Sequence, residues 1–201
     1  MARRTKSRLK RSRRVGIDLG HKTNSQKVAR RLNIPPGQHG RRGRGRQSDY
    51  GQQLQEKQKA KWMYGILEKQ FLRYYDIAAK TPAATGQELL KLLESRLDNV
   101  IYRLGFAPTR PAARQLINHG HIKVDNKKVS IPSYLVKPNQ VISLSSKAAS
   151  FPAIKETLEQ KHITPKWLEK KAIVGKVKNL PQREDIDVDI NEQLIVEFYS
   201  R

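Results

Sequence analysis

The sequence predicts an α+β fold in which helices come first and short strands follow. Two observations carry that expectation. Apolar residues recur at three- and four-residue intervals over much of the stretch from Met63 to Ile117, the spacing of one helix face. Beyond Gly120 the pattern changes to short alternating runs such as Ile122-Lys123-Val124, bounded by Pro, Asn and Asp. The regular strand–helix alternation of a doubly wound sheet is missing.

The first segment, residues 1–47, reads as a basic N-terminal arm. The chain has 201 residues, 41 of them Lys or Arg and 18 Asp or Glu, for a net charge of +23. Sixteen of those cations lie in residues 1–46 against one acid, Asp18. So much positive charge repels itself in a compact chain, which points to a polyanionic partner. Gly16, Gly20, Gly37, Gly40, Gly43, Gly45 and Pro35-Pro36 interrupt the segment, and no apolar period is sustained. It is therefore expected to be an extended arm whose backbone can approach phosphates closely. Ile17, Leu19, Val28, Leu32 and Ile34 are more than a solvated tail needs, so the arm is expected to be ordered on its partner.

Residues 48–92 predict an all-helical domain, rejoined by residues 178–201. Ser48 or Asp49 can cap a helix through its side-chain oxygen. Met63, Leu67, Phe71, Tyr74 and Ala78 continue at helical spacing, and Gly65 divides the stretch into two helices. After the break at Pro82–Gly86, Thr85-Gly86-Gln87-Glu88 has capping-box spacing. Leu89, Leu92, Leu93, Leu97, Val100, Ile101 and Leu104 then predict one helix ending at Gly105.

Residues 93–177 predict a pair of helices packed on a small antiparallel sheet. Thr109 caps a short second helix, with Pro111 tolerated in its first turn, and Gly120 closes it. Ile122–Val124 starts a strand, Asp125-Asn126 fits a tight turn, and further strands are expected near Lys127–Ser130 and Val141–Ser145. Helices are expected at Ala153–Gln160 and Pro165–Lys171. At the end, Leu194, Val196 and Phe198 alternate like a strand, while Asn191-Glu192 caps well and favours a helix.

Composition excludes several chemistries. With no Cys, disulfides, thiol catalysis, zinc ribbons and iron–sulfur clusters are ruled out. No apolar run is long enough to span a membrane, and the N-terminus lacks the apolar core of a secretory signal, so an intracellular protein is expected. Asp185, Asp187 and Asp189 lack the Gly and terminal Glu of a calcium loop; they read as flanking the last helix. His119-Gly120-His121 has no third ligand nearby and reads as a helix end. Trp62, Tyr64, Phe71, Tyr74 and Tyr75 sit at the spacing of packing residues. No nucleotide-binding loop, catalytic triad or carboxylate pair stands out, so neither enzyme activity nor a cofactor or metal is expected.

The stretch from Arg96 to Lys128 is the most informative. Arg96, Arg103, Arg110, Arg114, Lys123, Lys127 and Lys128 fall on two short helices and a hairpin. Arg110 and Arg114, four residues apart, are expected on one helix face, with Gln115 and His119 on the adjacent one. Such a surface suits phosphates and sugar hydroxyls across a shallow RNA groove. Replacing Arg110 and Arg114 by Ala is then expected to weaken RNA binding without altering the circular dichroism spectrum.

RLDNVIYRLGFAPTRPAARQLINHGHIKVDNKKV (Arg96–Val129) closely resembles the RNA-binding domain named after the S-four ribosomal proteins. PPGQHG (Pro35–Gly40), SDYGQQLQEKQKAKWMYGILEKQF (Ser48–Phe71) and DINEQLIVEFYSR (Asp189–Arg201) resemble the other hallmarks of the bacterial and plastid members of that small-subunit ribosomal family. The resemblance runs over essentially the whole chain. It departs from some relatives in lacking a cysteine zinc cluster in the arm. It also departs in writing the usual Val-Asn-Gly turn as Val124-Asp125-Asn126.

The resemblance implies a structural constituent of the small ribosomal subunit, in the cytoplasm or a plastid stroma, monomeric within the ribosome and without a membrane role. It implies direct binding of the 16S ribosomal RNA 5′ domain at a helix junction and nucleation of subunit assembly. It further implies contact with ribosomal protein S-five, an influence on translational accuracy, and a basic arm beside the channel by which mRNA enters. Some members also repress translation of their own operon. The RNA-binding residues expected are Arg3, Arg4, Lys10, Arg13, Arg14, Arg41, Arg42, Arg44 and Arg46 of the arm. In the module they are Arg96, Arg103, Thr109, Arg110, Arg114, Gln115, His119, Lys123, Lys127 and Lys128. Arg41, Arg42, Arg44 and Arg46 are those expected near mRNA.

Overall fold

A computed structural model describes residues 7–38, 46–160, 162–186 and 189–200. The chain divides into two compact units, one running to Gly86 and including the C-terminal segment, the other beginning at Gln87.

In the first unit, residues 7–38 are not an extended arm. They form helices α1 (Arg8–Val15) and α2 (Ser25–Leu32) joined by a folded loop. Val15, Leu19 and Val28 are buried. A helix buries such scattered apolar groups while pairing its own amides, which is why the extended expectation fails there. Gly16, at φ 86°, ends α1 by returning its amide to the Ser12 carbonyl. Asn24 caps α2 by accepting from the Lys27 amide at 2.9 Å. His21 Nε2 donates to the Trp62 carbonyl at 2.7 Å and ties this loop to the helices that follow.

Helix α3 (Asp49–Met63) starts at the Ser48 cap, and Gly65, at φ 66°, separates it from α4 (Glu68–Ala79). The expected division into two helices is present. Trp62, Tyr64, Phe71 and Tyr74 are buried as packing residues. The C-terminal helix of the chain packs along α3. Its Asn191 cap accepts from the Gln193 and Leu194 amides, so the helical alternative holds over residues Glu192–Tyr199.

Lys57, Lys59 and Lys61 are buried on α3, and each has an anion. Lys57 and Lys61 both donate to Glu68, and Lys59 reaches Glu56 and Asp189. Lys57 also lies 4.1 Å from the Phe198 ring centre, and Tyr199 donates its hydroxyl proton to Glu68 at 2.9 Å. Burial alone would raise the Glu68 pKa, but the hydrogen bonds from Lys57, Lys61 and Tyr199 outweigh it and bring the carboxyl down to about 2. Burial, and then the bond to Glu68, push the Tyr199 phenol up. Asp189 is accordingly an anchor beside the last helix, as its position before Asn191 suggests. Asp187 lies outside the described residues.

In the second unit the helix expected to run unbroken to Gly105 is two helices, α5 (Thr85–Glu94) and α6 (Leu97–Arg103). The break at Ser95-Arg96 is extended. Leu97 donates its amide to the Tyr134 carbonyl, and Val136 donates to the Ser95 carbonyl. These non-local bonds replace the helical ones lost. Helix α7 (Arg110–Asn118) begins at Thr109, whose hydroxyl accepts from the Ala112 amide, with Pro111 in the first turn. Gly120 leaves it at φ 71°.

The sheet has five antiparallel strands in the order β2-β1-β3-β5-β4. They are β1 (Ile122–Val124), β2 (Lys127–Lys128), β3 (Val141–Leu144), β4 (Leu168–Lys171) and β5 (Val174–Val177). Asp125 and Asn126 both adopt positive φ, 47° and 64°, the geometry of a two-residue hairpin turn, so the turn forms without glycine. Between the sheet's third and fourth strands lie α8 (Ser146–Ala149) and α9 (Pro152–Glu159), the latter close to its expected span. The helix expected at Pro165–Lys171 is absent. Leu168–Lys171 is strand β4, paired residue for residue with β5, itself unforeseen. Ala172 at φ 49° turns the chain between them.

One side of the sheet is dry. Ile122, Val124, Ile142, Leu144, Leu168 and Val177 join Leu97, Val100, Ile101, Leu104, Ala113 and Ile117 in a single core. Gly175 sits where an added Cβ would come within 2.5 Å of Leu104 Cδ1, so it allows α6 to press on the sheet. A short 3-10 helix (Arg183–Asp185) and helix α10 (Glu192–Tyr199) complete the described elements.

Candidate nucleic-acid interface

The cations expected to contact RNA divide into two sets. Arg96 is buried, and its Nε and Nη2 donate to the two Asp98 carboxylate oxygens at 3.1 and 2.7 Å. It holds the α5–α6 break and does not reach the surface, which corrects its expected contact role. Thr109 is likewise buried, with its hydroxyl spent on the α7 cap.

Arg110 does not project outward from α7. Its Nε donates to Asn99 Oδ1 at 2.8 Å, and its guanidinium lies 4.5 Å from the Tyr102 ring centre. Asn99 Nδ2 donates to Glu94 Oε2 at 2.6 Å, and Arg103 grips the same buried carboxylate through Nε and Nη2 at 3.0 and 2.9 Å. Arg114 Nη1 lies 3.8 Å from Asp98 Oδ2. Burial lowers its pKa while Asp98 pulls it back up. Charges taken out of water must be paired, and Glu94 and Asp98 supply the partners. Of these four arginines, Arg103 and Arg114 keep a partly open side chain, 12% and 17% exposed.

The second set is open to solvent and lies at one end of α7 and on the hairpin. Gln115 and His119 share a face of α7, and Asn118 beside them is also exposed. Gly120 then lets the Lys128 stem cross the helix end, since a Cβ there would sit 2.0 Å from Lys128 Cε. Lys123 is the direct cross-strand partner of Lys128. The pair therefore shares one face of the sheet, whereas Lys127, opposite Val124, belongs to the other. Like charges placed directly opposite repel. The corner is thus a cationic cluster mounted on a rigid core, with amide and imidazole groups beside it, suited to phosphates and sugar hydroxyls.

In the arm, Lys10 and Arg14 are exposed on α1, and Arg46 is exposed ahead of Ser48. Arg13 is turned inward, donating to the Ile34 and Pro35 carbonyls at 2.8 and 3.2 Å. Arg3, Arg4, Arg41, Arg42 and Arg44 lie outside the described residues. Sequence reasoning missed the anchoring roles of Glu94, Asp98 and Asn99. The signal was a buried-type polar cluster, Glu94-Ser95-Arg96 and Asp98-Asn99, inside an otherwise apolar helical pattern. It also missed the cations of β4 and β5, because those strands were not foreseen.

Comparison with known proteins agrees with this architecture. Residues 3–94 match the family model of the ribosomal protein S4/S9 N-terminal domain, and residues 95–142 match that of the S4 domain. A small ribosomal subunit protein uS4 of Brevibacillus brevis is 51% identical over 203 residues, covering 100% of both chains. Its counterpart in Chloroflexus aurantiacus is 52% identical over 197 residues, covering 94% of this chain and 95% of its own. That of Thermoanaerobacter pseudethanolicus is 54% identical over 173 residues, covering 85% and 84%. With two family models meeting end to end and relatives at this identity over 85–100% of its length, the chain belongs to the ribosomal protein uS4 family, in a bacterial-type form without cysteine.

Proposed function

We propose that the chain is a structural constituent of the small ribosomal subunit that binds ribosomal RNA and catalyses no reaction. In finer terms, it grips a helix junction in the 16S 5′ domain and nucleates assembly by favouring one arrangement of that junction. The observation that carries this reading is the cross-strand Lys123–Lys128 pair, whose Lys128 stem passes over Gly120 at the end of α7 and which has no ion-pair partner among the described residues. An anionic backbone relieves that repulsion and releases counterions.

The working division is a basic arm (1–47), a helical domain (48–92 with 178–201) and an RNA-binding domain (93–177). Within it, Gln115, His119, Lys123, Lys127 and Lys128 are the module's direct contacts, and Arg103 and Arg114 add partly open guanidinium edges. Lys10, Arg14 and Arg46 are the arm's described contacts. Arg41, Arg42, Arg44 and Arg46 are assigned to mRNA where it enters. Arg96, Arg110 and Thr109 hold α5, α6 and α7 together, and Arg13 supports the arm. Contact with ribosomal protein S-five and an effect on translational accuracy belong to the same reading.

The test is competition between folded 16S 5′-domain RNA and duplex DNA of equal length at stated salt, together with co-sedimentation with small subunits. Preference for the RNA and co-sedimentation are expected. A preference for DNA supports an architectural DNA-binding protein instead. Conversion of an RNA base on incubation supports an RNA-modifying enzyme that uses the same module for recognition.

A further inference from the structure

We propose that the outer face of the five-stranded sheet is a second RNA-docking surface, which seats a duplex RNA across its minor groove. The proposal rests on the reading that the chain binds ribosomal RNA, and it extends the contact area to strands outside both matched family segments.

Register defines the face. One row across the strands reads Lys128, Lys123, Ser143, Val174, Lys171. The next reads Val141, Lys176, Glu169. Gly175 and Val177 alternate with Val174 and Lys176 and are buried against the helices, whereas Val174 and Lys176 are exposed on the outer side. Val141 and Val174 stay 39% and 37% exposed.

Charge selects the occupant. Within these two rows four lysines meet one acid, Glu169, which lies 3.5 Å from Lys171 and 3.7 Å from Lys178; at the rim a second carboxylate, Asp125, accepts from the Val141 amide at 2.9 Å. Those exposed pairs are weak, and Lys123 stands between Lys128 and Ser143 across the ladder, with no carboxylate opposite it among the described residues. The face therefore complements a polyanion.

Shape narrows it further. No aromatic side chain occurs in either row, so unpaired bases find no stacking platform. The lysines instead fall in two groups, on β2–β1 and on β5–β4, at the ends of a span of roughly 19 Å set by strand spacing. Between them lie Ser143, Val141 and Val174, short enough to rest against ribose edges. A shallow RNA minor groove flanked by two phosphate rows fits that layout. The face is also continuous with the α7 corner through Lys123 and Lys128.

The experiment compares full-length wild type, Lys171→Ala/Lys176→Ala, Val174→Asp and a control, Lys155→Ala/Lys166→Ala, all checked by circular dichroism. Each is titrated with folded 16S 5′-domain RNA over a series of salt concentrations. The proposal expects the first variant to bind about tenfold more weakly and to lose about 1.8 from the salt slope, near 0.9 per phosphate contact. Val174→Asp should weaken binding as well, and the control should match wild type.

Wild-type affinity and slope in both face variants, with wild type itself binding, overturn this proposal alone. Failure of wild type to prefer the RNA overturns the underlying reading. Because the chain lacks cysteine, Val174→Cys can also carry a single tethered iron chelate into reconstituted subunits. Cleavage of two RNA strands across one groove supports the proposal. Cleavage of a neighbouring protein with RNA intact assigns the face to a protein and overturns it.

Discussion

Arg110 Nε and Asn99 Oδ1 meet at 2.8 Å between two helices, and Asn99 passes the connection on to the buried carboxylate of Glu94. Three elements, α5, α6 and α7, are thereby joined by a buried polar chain at the start of α7, while the exposed cations gather at its far end and on the hairpin. An arginine read as a contact from its spacing is here a strut for its neighbours.

Arg110→Ala is therefore expected to act on stability first. It strands Asn99 Oδ1 and uncovers Tyr102, for a loss of about 2 kcal/mol. A lowered melting temperature with a native spectrum at 20 °C is the expected outcome. An unchanged melt combined with weakened RNA binding would restore the direct-contact role.

Lys123→Ala/Lys128→Ala should do the opposite. Removing two like charges that face each other relieves repulsion of a few tenths of a kcal/mol up to about 1 kcal/mol, so the melting temperature holds or rises. RNA affinity should drop, with the salt slope reduced by about 1.8. Equal affinity at every salt concentration would remove the hairpin from the interface.

The seam between α3 and α10 should respond to acid through Glu68. Its carboxyl is held at about 2 against an ordinary 4.5, so the folded state favours the charged form. The stabilisation is full above about pH 4.5 and is lost as pH falls toward 2. Glu68→Gln removes this dependence, so the melting temperatures of wild type and variant should converge as pH is lowered from 6 to 3. Parallel curves would show that the carboxylate does not hold the helix.

Gly175→Ala probes the contact between sheet and helix. The added methyl meets Leu104 Cδ1 at 2.5 Å, and overpacking of this kind costs about 1–3 kcal/mol. Leu104→Ala in the same chain should recover part of the loss. If the single variant melts like wild type, α6 does not pack as tightly on β5 as described.

Local signals were the legible ones. The Thr109 cap, Pro111, the glycine at position 120 and the Asp125-Asn126 turn each depend on a few neighbouring residues, and each appears where the sequence indicates. The family followed from motif strings, and the polyanionic partner from charge. What could not be read depended on distant partners. Leu168–Lys171 became a strand because β5 lies between it and β3, and the α5–α6 break exists because Tyr134 and Val136 bond to it. The arginines misled for the same reason: periodicity gives the side of a helix, not the carboxylate waiting on the next one.

The strand order sets a sequence of events during synthesis. β5, the last strand to be made, is an interior strand, bonded to β3 on one side and β4 on the other. Until Val177 has emerged from the translating machinery, β3 presents an open edge and Leu104 has no floor beneath it. A chain halted before that point lacks Val177 and the strand that joins β3 to β4, so its core is incomplete. The final strand is the latch: without it β4 has no partner in the sheet and β3 is paired on one side alone.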